Sequence, residues 1–96
     1  MSYRVSFTPS GSREFRKLPK KVQALLAPRI DALAEEPRPP GAKKLESPHD
    51  LWSLREGDYR VIYQLREAVL YVVIARAGHR RDVYRQLERL GKALRE

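Results

Sequence analysis

The chain has 96 residues, with 20 Lys or Arg against 12 Asp or Glu, which gives a formal net charge of +8 and a pI of about 10.2. This length suits one small domain with a modest core and excludes a separate regulatory domain. The chain has no cysteine, and its two histidines, His49 and His79, lack metal-ligand spacing, so we expect neither a disulfide framework nor a metal or cofactor.

The charge and hydropathy patterns indicate where the protein is located and which classes of partner it binds. No apolar run approaches the ~18 residues that span a bilayer, and the polar segment Met1–Arg4 has no apolar region behind it. We therefore expect a cytoplasmic protein that does not associate with membranes. The excess of cations favours polyanionic or acidic partners, such as nucleic acid, the ribosome surface or an acidic protein.

The first third of the chain predicts a strand followed by two helices. Residues Tyr3–Thr8 alternate and are rich in aromatic and β-branched side chains, which is typical of a strand. Thr8 before Pro9 is a suitable helix start, so Pro9–Leu18 is predicted as a short helix that Pro19 ends. A second helix is predicted from about Lys20 to Glu35, with Pro28 inside it. Its apolar stripe comprises Val22, Leu25, Leu26, Ile30 and Leu33.

The remainder predicts a hairpin, a central strand and a last helix. Glu36–Gly41 is a Pro-rich loop, and Leu51–Leu65 alternates on both sides of a turn. Ala68–Ala75 is continuously apolar, as in a strand covered on both faces, and Asp82–Leu94 has helical periodicity. The sequence thus predicts a single domain over residues 1–96, without internal repeats. It is an α+β domain with the order β-α-α-β-β-β-α, in which a helical hairpin packs on a mostly antiparallel sheet.

The hairpin carries an unusual set of side chains. A two-residue loop within Glu56–Asp58 would place Ser53, Arg55 and Arg60 on one face of the sheet. A three-residue loop would place Arg60 on the other face. The basic character of this face therefore depends on the turn.

Several segments together carry a resemblance to a known family. They are Leu45, Leu51–Arg55, Gly57–Tyr63 and Gly78–Tyr84. In these segments the sequence resembles the RelE/ParE superfamily of bacterial type II toxins, which implies a RelE-like fold. Members of the RelE branch are ribosome-dependent endoribonucleases that cut messenger RNA in the decoding site and are silenced by an antitoxin, whereas ParE-like members act on DNA gyrase.

The resemblance also implies a catalytic set. Metal-free RNA cleavage needs a base for the 2′-hydroxyl, cations for the scissile phosphate and an acid for the leaving oxygen. By resemblance, Arg60 and Arg80 stabilise the phosphate, and Tyr84 transfers a proton or stacks on a base. His79 is a rival base, because an unperturbed histidine has a pKa of about 6.5.

The sequence departs from the family at two positions. The best-studied RelE-type nuclease has lysines on the strand where Leu51 and Ser53 stand here. If those lysines supply the base or acid, this chain uses Arg55, Lys43, Lys44 or His79 in their place, or cleaves poorly. The side chains expected to contact RNA are Lys43, Lys44, Ser53, Arg55 and Arg81.

The resemblance therefore favours a ribosome-dependent, metal-independent mRNA endonuclease toxin, whose partners are an acidic antitoxin, the ribosome and mRNA. One alternative is a ParE-like toxin that binds a protein such as DNA gyrase without cutting RNA. Another is a degenerate homologue that only binds its antitoxin. A toxin that binds a protein target has no need for two arginines and a tyrosine around a phosphate. These residues therefore favour the RNA-cleaving toxin over the protein-binding one.

Overall fold

The described residues form a five-stranded sheet with two helices. The computed structural model describes residues 2–46, 49–79 and 83. The elements in chain order are β1 (Arg4–Phe7), α1 (Pro9–Lys17), α2 (Lys20–Ala32), β2 (Lys43–Lys44), β3 (Leu51–Glu56), β4 (Tyr59–Arg66), a 3₁₀ turn (Glu67–Val69) and β5 (Tyr71–His79). The strands lie in the order β1-β5-β4-β3-β2, and every neighbouring pair is antiparallel except β1–β5. The predicted α+β class and mostly antiparallel sheet are confirmed.

The two helices begin as predicted. The hydroxyl of Thr8 caps α1 by accepting a hydrogen bond of 2.9 Å from the amide of Gly11. Helix α2 ends at Ala32 rather than at the predicted Glu35, because the chain enters a turn there. The predicted apolar stripe is wrong at Leu25, which is 50% exposed. Leu25 lies about 100° around the helix from the buried Leu26, so it faces away from the sheet.

The strands differ from the prediction in two places. The short strand β2 was not predicted, since its two lysines have little strand propensity and pair only because β3 offers a free edge. Strand β5 begins at Tyr71 rather than Ala68, because the 3₁₀ turn and a positive φ of 56° at Leu70 reverse the chain first. Strand β5 then continues to His79, beyond the predicted end at Ala75. The predicted helix Asp82–Leu94 lies outside the described residues except for Val83.

The sheet has apolar side chains on both faces. One face packs against the helices, and the core between them comprises Leu18, Leu26, Ile30, Leu33, Leu54, Val61, Tyr63, Leu65, Val72, Ile74 and Ala77. On the other face, Val83 packs with a smaller buried cluster of the strand residues Leu51, Ile62 and Ala75. Burial of one large aliphatic side chain contributes about 1.5–3 kcal/mol. Among the described residues, the helix-covered face therefore supplies most of the hydrophobic stabilisation. Strand β5 contributes buried residues to both clusters, which agrees with the prediction that both of its faces are covered.

Helix α1 protects the part of β5 that β1 does not reach. Strand β1 stops at Phe7, opposite Ile74. Beyond that point the Glu14 carboxylate accepts a hydrogen bond of 3.1 Å from the amide of Ala77. The helix crosses the strand so closely that a Cβ at Gly11 would lie 2.4 Å from the carbonyl oxygen of Ile74. The helix thus covers an edge that would otherwise present unpaired backbone groups.

Tyr63 joins the sheet to the loop after α2. Its side chain is fully buried, and its hydroxyl donates a hydrogen bond of 2.8 Å to the carbonyl oxygen of Pro37. Burial raises the pKa of Tyr63 to about 12, and the charge of Arg38 opposes this only partly. Tyr63 is therefore a protonated structural group rather than an acid or base for catalysis.

Candidate nucleic-acid interface

The β3–β4 hairpin has a two-residue loop, Gly57–Asp58. Gly57 has a positive φ of 60°, as the first central position of a type II′ turn requires. The register pairs Arg55 with Arg60 and Ser53 with Ile62. The prediction that Ser53, Arg55 and Arg60 share one face is therefore confirmed, and we call this side of the sheet the arginine face. It is the side opposite the helices.

Two arginines lie directly opposite each other on the arginine face, and a glycine continues the row. Arg60 pairs with Arg55 on β3 and with Gly78 on β5. Like charges at directly opposed positions of an antiparallel pair destabilise a sheet. No atom of the described residues lies within 4 Å of the position that a Cβ would take at Gly78. Within the described part of the chain, the row Arg55–Arg60–Gly78 thus combines concentrated positive charge with open space beside it.

The two arginines have different surroundings. Arg55 is exposed, and its Nε donates a hydrogen bond of 3.0 Å to the carbonyl oxygen of Gly57 in the turn. Arg60 is half-buried, and its Nε is shielded from solvent. A guanidinium remains charged at any working pH and binds phosphate oxygens through two parallel hydrogen bonds. The row can therefore hold a phosphate through a half-buried inner cation and an exposed outer one.

Helix α2 fixes the end of the hairpin. The Arg29 guanidinium donates to the Glu56 carboxylate at 2.6 Å and also to the backbone carbonyl of Arg55. Glu56 precedes the turn and alternates with Arg55, so its side chain points to the helix-covered side. The carboxylate of Glu56 is thus engaged by Arg29 and is directed away from the arginine face.

The remaining predicted contacts on β2 and β3 divide between the two sides of the sheet. Lys43 is exposed and pairs with Ser53, which places it on the arginine face. Lys44 pairs with Trp52 on the other side, where its Nζ lies 3.6 Å from a carboxylate oxygen of Asp50. Ser53 is only 1% exposed, and Leu51 is fully buried. Neither of these two residues offers an exposed ionisable group at the positions where the resemblance to RelE-type nucleases led us to expect lysines.

His79 lies apart from the arginines. It pairs with Tyr59, and the two rings meet edge to face with centroids 5.7 Å apart. Because side chains alternate along a strand, His79 points to the helix-covered side while Gly78 lies beside Arg60. Among the described residues, no three His, Cys, Asp or Glu side chains are close enough to hold a metal ion. Arg80, Arg81 and Tyr84 lie outside the described residues.

Two residues that shape this interface were not singled out by sequence reasoning. Gly78 belonged to the recognised motif, but its role as open space beside Arg60 depends on the β4–β5 register. Arg29 is separated from Glu56 by 27 residues and was part of a helical pattern, so no local signal indicated its contact with the hairpin. Both contributions arise from tertiary pairing.

Comparisons with known proteins agree with this fold. Residues 5–84 match the model of a family described as the ParE toxin of the type II toxin–antitoxin system parDE. The chain is 33% identical over 87 residues to Toxin RelG of Mycobacterium tuberculosis, covering 90% of this chain and 100% of the relative. It is 31% identical over 88 residues to a putative RelE-like toxin protein of Escherichia coli, covering 88% and 92% respectively.

Solved structures give the same result. One is the toxin–antitoxin complex RelBE2 of Mycobacterium tuberculosis, with a TM-score of 0.71, 31% identity and coverage of 82% of this chain and 99% of that chain. The archaeal RelE–RelB complex of Pyrococcus horikoshii gives a TM-score of 0.74 at 31% identity, with coverage of 86% and 100%. None of the described helices is long and apolar enough to cross a membrane. The chain therefore belongs to the RelE/ParE superfamily of toxins from type II toxin–antitoxin systems.

Proposed function

We propose that this toxin is a ribosome-dependent mRNA endonuclease that inhibits translation without a metal ion. The observation that carries the proposal is the row Arg55–Arg60–Gly78, in which two guanidinium groups adjoin a space on one face of the sheet that the described residues leave open. Arginines at directly opposed positions are unusual in a sheet, and violations of local rules concentrate at functional sites. A phosphate bound at the row can accept hydrogen bonds from both guanidinium groups.

The proposed reaction is a transfer within the RNA strand. The 2′-oxygen loses its proton to a base and attacks the adjacent phosphorus, and the bond to the 5′-oxygen breaks as that oxygen takes up a proton. Arg60 and Arg80 stabilise the negative charge that develops on the phosphate oxygens. Tyr84 is the proposed proton-transfer group, and His79 remains the rival. Because His79 points away from Arg60, Tyr84 is the stronger choice for a base that acts on a phosphate bound at the arginine face.

One observation favours a second candidate, a toxin that binds a protein target and does not cut RNA. Leu51 and Ser53 are buried on the arginine face, at positions where the family resemblance leads us to expect lysines. These residues cannot serve as exposed acid or base groups, so the protein has few side chains that can transfer a proton during cleavage. With so few acid and base groups, we expect cleavage only where the ribosome already holds the 2′-oxygen in line with the phosphorus that it attacks.

The first test compares RNA on and off the ribosome. Because positioning carries much of the proposed rate, we expect cleavage of mRNA in a stalled ribosome and almost no cleavage of the same purified mRNA. Primer extension with and without the toxin measures cleavage in both samples, the ribosome-bound mRNA and the purified mRNA. Tyr84→Phe and His79→Gln in the same assay identify the base, because only the variant that lacks it loses most of the rate. Rapid cutting of naked RNA contradicts ribosome dependence, and intact mRNA in both samples supports the protein-target candidate.

A second expectation concerns the antitoxin. The similar solved structures include the toxin–antitoxin complex RelBE2 and an archaeal RelE–RelB complex, and this chain has a net charge of +8. We infer an acidic antitoxin that is partly disordered until it binds. Purification of the tagged toxin from its native operon is expected to recover a small acidic protein at equal stoichiometry. A stable and toxic free monomer with no neighbouring partner gene would argue against this partner.

A further inference from the structure

Strand β5 contains a β-bulge close to the cationic row. The pairing of β4 with β5 shifts by one residue between Ile62 and Tyr63, and Ala75 is the extra residue on β5. Bulges occur beside active sites, where they redirect side chains. This bulge lies on the strand that supplies Gly78, the last member of the row Arg55–Arg60–Gly78.

The bulge determines which residue of β5 lies beside Arg60. If the register at Tyr63 continued without the bulge, Ala77 would lie opposite Arg60. Its methyl group would then enter the space that the described residues leave open at Gly78. Because a shift of one residue moves every later side chain to the other face, His79 would also turn towards the arginine face. The opening beside Arg60 therefore depends on the bulge.

One side of helix α1 contacts the bulge. The cap residue Thr8, Gly11 and Glu14 recur at intervals of three, so they lie on the same side of the helix. The Thr8 hydroxyl donates a hydrogen bond of 3.4 Å to the carbonyl oxygen of Ala75. Strand β1 ends opposite Ile74, directly before the bulge. Helix α1 is thus the neighbour that the bulged segment has in place of a strand.

Glu14 holds the segment that follows the bulge. One carboxylate oxygen accepts a hydrogen bond of 3.1 Å from the amide of Ala77, and the other accepts one of 3.1 Å from the Arg76 guanidinium. Both side chains of this ion pair are half-buried. Removal of the carboxylate would take away the acceptor for the Ala77 amide at the place where the register changes.

We propose that Glu14 is a positioning residue for RNA cleavage, which holds the bulge in β5 and thereby keeps Gly78 beside Arg60. This inference rests on the proposed function, because it assumes that a phosphate enters the opening at Gly78. Both carboxylate oxygens are engaged, one by the Ala77 amide and one by Arg76. The role of Glu14 is therefore to set the geometry of the backbone, and it takes no part in proton transfer.

Two substitutions at Glu14 separate positioning from proton transfer. In Glu14→Gln the side-chain oxygen can still accept from the Ala77 amide, whereas Glu14→Ala removes the acceptor, and neither side chain can exchange a proton. We expect Glu14→Ala to lower the single-turnover rate of mRNA cleavage on ribosomes by roughly 10–100-fold, because a small misplacement of the site has effects of this size. Glu14→Gln should keep most of the parent's rate, and the affinity of both variants for ribosomes should be unchanged.

A matched control and a second variant complete the cleavage assay. Glu67→Ala removes another glutamate that pairs with an arginine, at the far end of β4, and changes the net charge by the same amount. It should cleave at the parent's rate. Gly78→Ala fills the opening directly and should also slow cleavage. The double variant Glu14→Ala/Gly78→Ala should lose no more rate than the slower single variant, because both changes close the same opening.

Nuclear magnetic resonance of the free toxin tests the bulge without a ribosome. Val61 lies opposite Ala77, whose amide points away from β4 towards Glu14. Such a non-hydrogen-bonded pair brings the two α-carbons close together. The two α-protons should therefore give a strong nuclear Overhauser effect in the parent and in Glu14→Gln, and a weak one in Glu14→Ala. The Ala77 amide should exchange with solvent faster in Glu14→Ala alone.

Four outcomes overturn the proposal. An equal loss of rate in Glu14→Gln and Glu14→Ala would assign the carboxylate a role in charge or proton transfer. Parent-like cleavage by Glu14→Ala, or slow cleavage with the Val61–Ala77 contact unchanged, would show that Glu14 does not act through the bulge. A Glu14→Ala chain that does not fold would assign Glu14 to stability. If the parent itself does not cut mRNA on ribosomes, the proposed nuclease function fails, and the resonance measurements still decide whether Glu14 holds the bulge.

Discussion

Arg60→Ala is expected to slow mRNA cleavage on the ribosome by roughly 10²–10³-fold, the usual loss when one preorganised electrostatic donor is removed. Arg60 stands between Arg55 and Gly78, beside the open space on the arginine face. Arg60 is half-buried and its Nε is shielded from solvent, so its position is restricted before substrate binds. Single-turnover cleavage of mRNA in stalled ribosomes measures the effect, and Arg80→Ala should behave in the same way.

The control for this variant lies on the same strand. Arg66 is exposed at the far end of β4, and Arg66→Ala removes the same charge and side chain from a position that faces no proposed substrate. We expect Arg66→Ala to cleave at the parent's rate. Arg60 is not a member of either buried cluster, so the melting temperature of Arg60→Ala should change little. If Arg60→Ala cleaves as fast as the parent, or is inactive only because it unfolds, the proposed site is wrong.

Gly11→Ala is expected to destabilise the domain by about 1–3 kcal/mol, in spite of alanine's better helix propensity. The new Cβ would lie 2.4 Å from the carbonyl oxygen of Ile74 and 3.2 Å from that of Ala75. Both are backbone atoms of a strand paired on its other side with β4, so neither moves easily. Thermal unfolding followed by circular dichroism should show a loss of about 4–8 °C for each kcal/mol.

Ser10→Ala is the matched control for this substitution. Ser10 is exposed in the first turn of the same helix, so alanine there should leave the melting temperature unchanged or slightly raised. If Gly11→Ala has the same melting temperature as Ser10→Ala, the close crossing of α1 over β5 does not exist in solution. A lower melting temperature for Gly11→Ala alone supports the crossing.

The elements with strong local signals could be predicted from the sequence. The Thr8 cap, the Pro19 break and the Gly57–Asp58 turn are each set by neighbouring residues, and each lies where the pattern indicates. The face shared by Ser53, Arg55 and Arg60 follows from the turn, because a two-residue loop fixes the register of both strands. Strand order and the parallel β1–β5 pair depend on distant contacts that no local window contains.

The start of β5 and the presence of β2 were predicted wrongly for a common physical reason. Ala68–Leu70 is as apolar as β5 itself, so hydropathy cannot separate the turn from the strand. Lys43 and Lys44 become a strand only because β3 offers its free edge. In the candidate site, the phosphate-binding role of Arg60 could be predicted from the motif. The separation of His79 from that arginine required the β4–β5 register.

The strand that joins β1 to the rest of the described sheet is also the last of the described strands to be synthesised. Strand β5 separates β1 from β4, and the hydroxyl of Thr8 at the end of β1 reaches the carbonyl of Ala75 across 67 residues of chain. Contacts of such high sequence separation form late and slow folding. The first strand therefore has no partner until the chain has been translated through β5. Gly78 joins Arg55 and Arg60 only at that stage, so the cationic row is incomplete for most of the time that the toxin is a nascent chain.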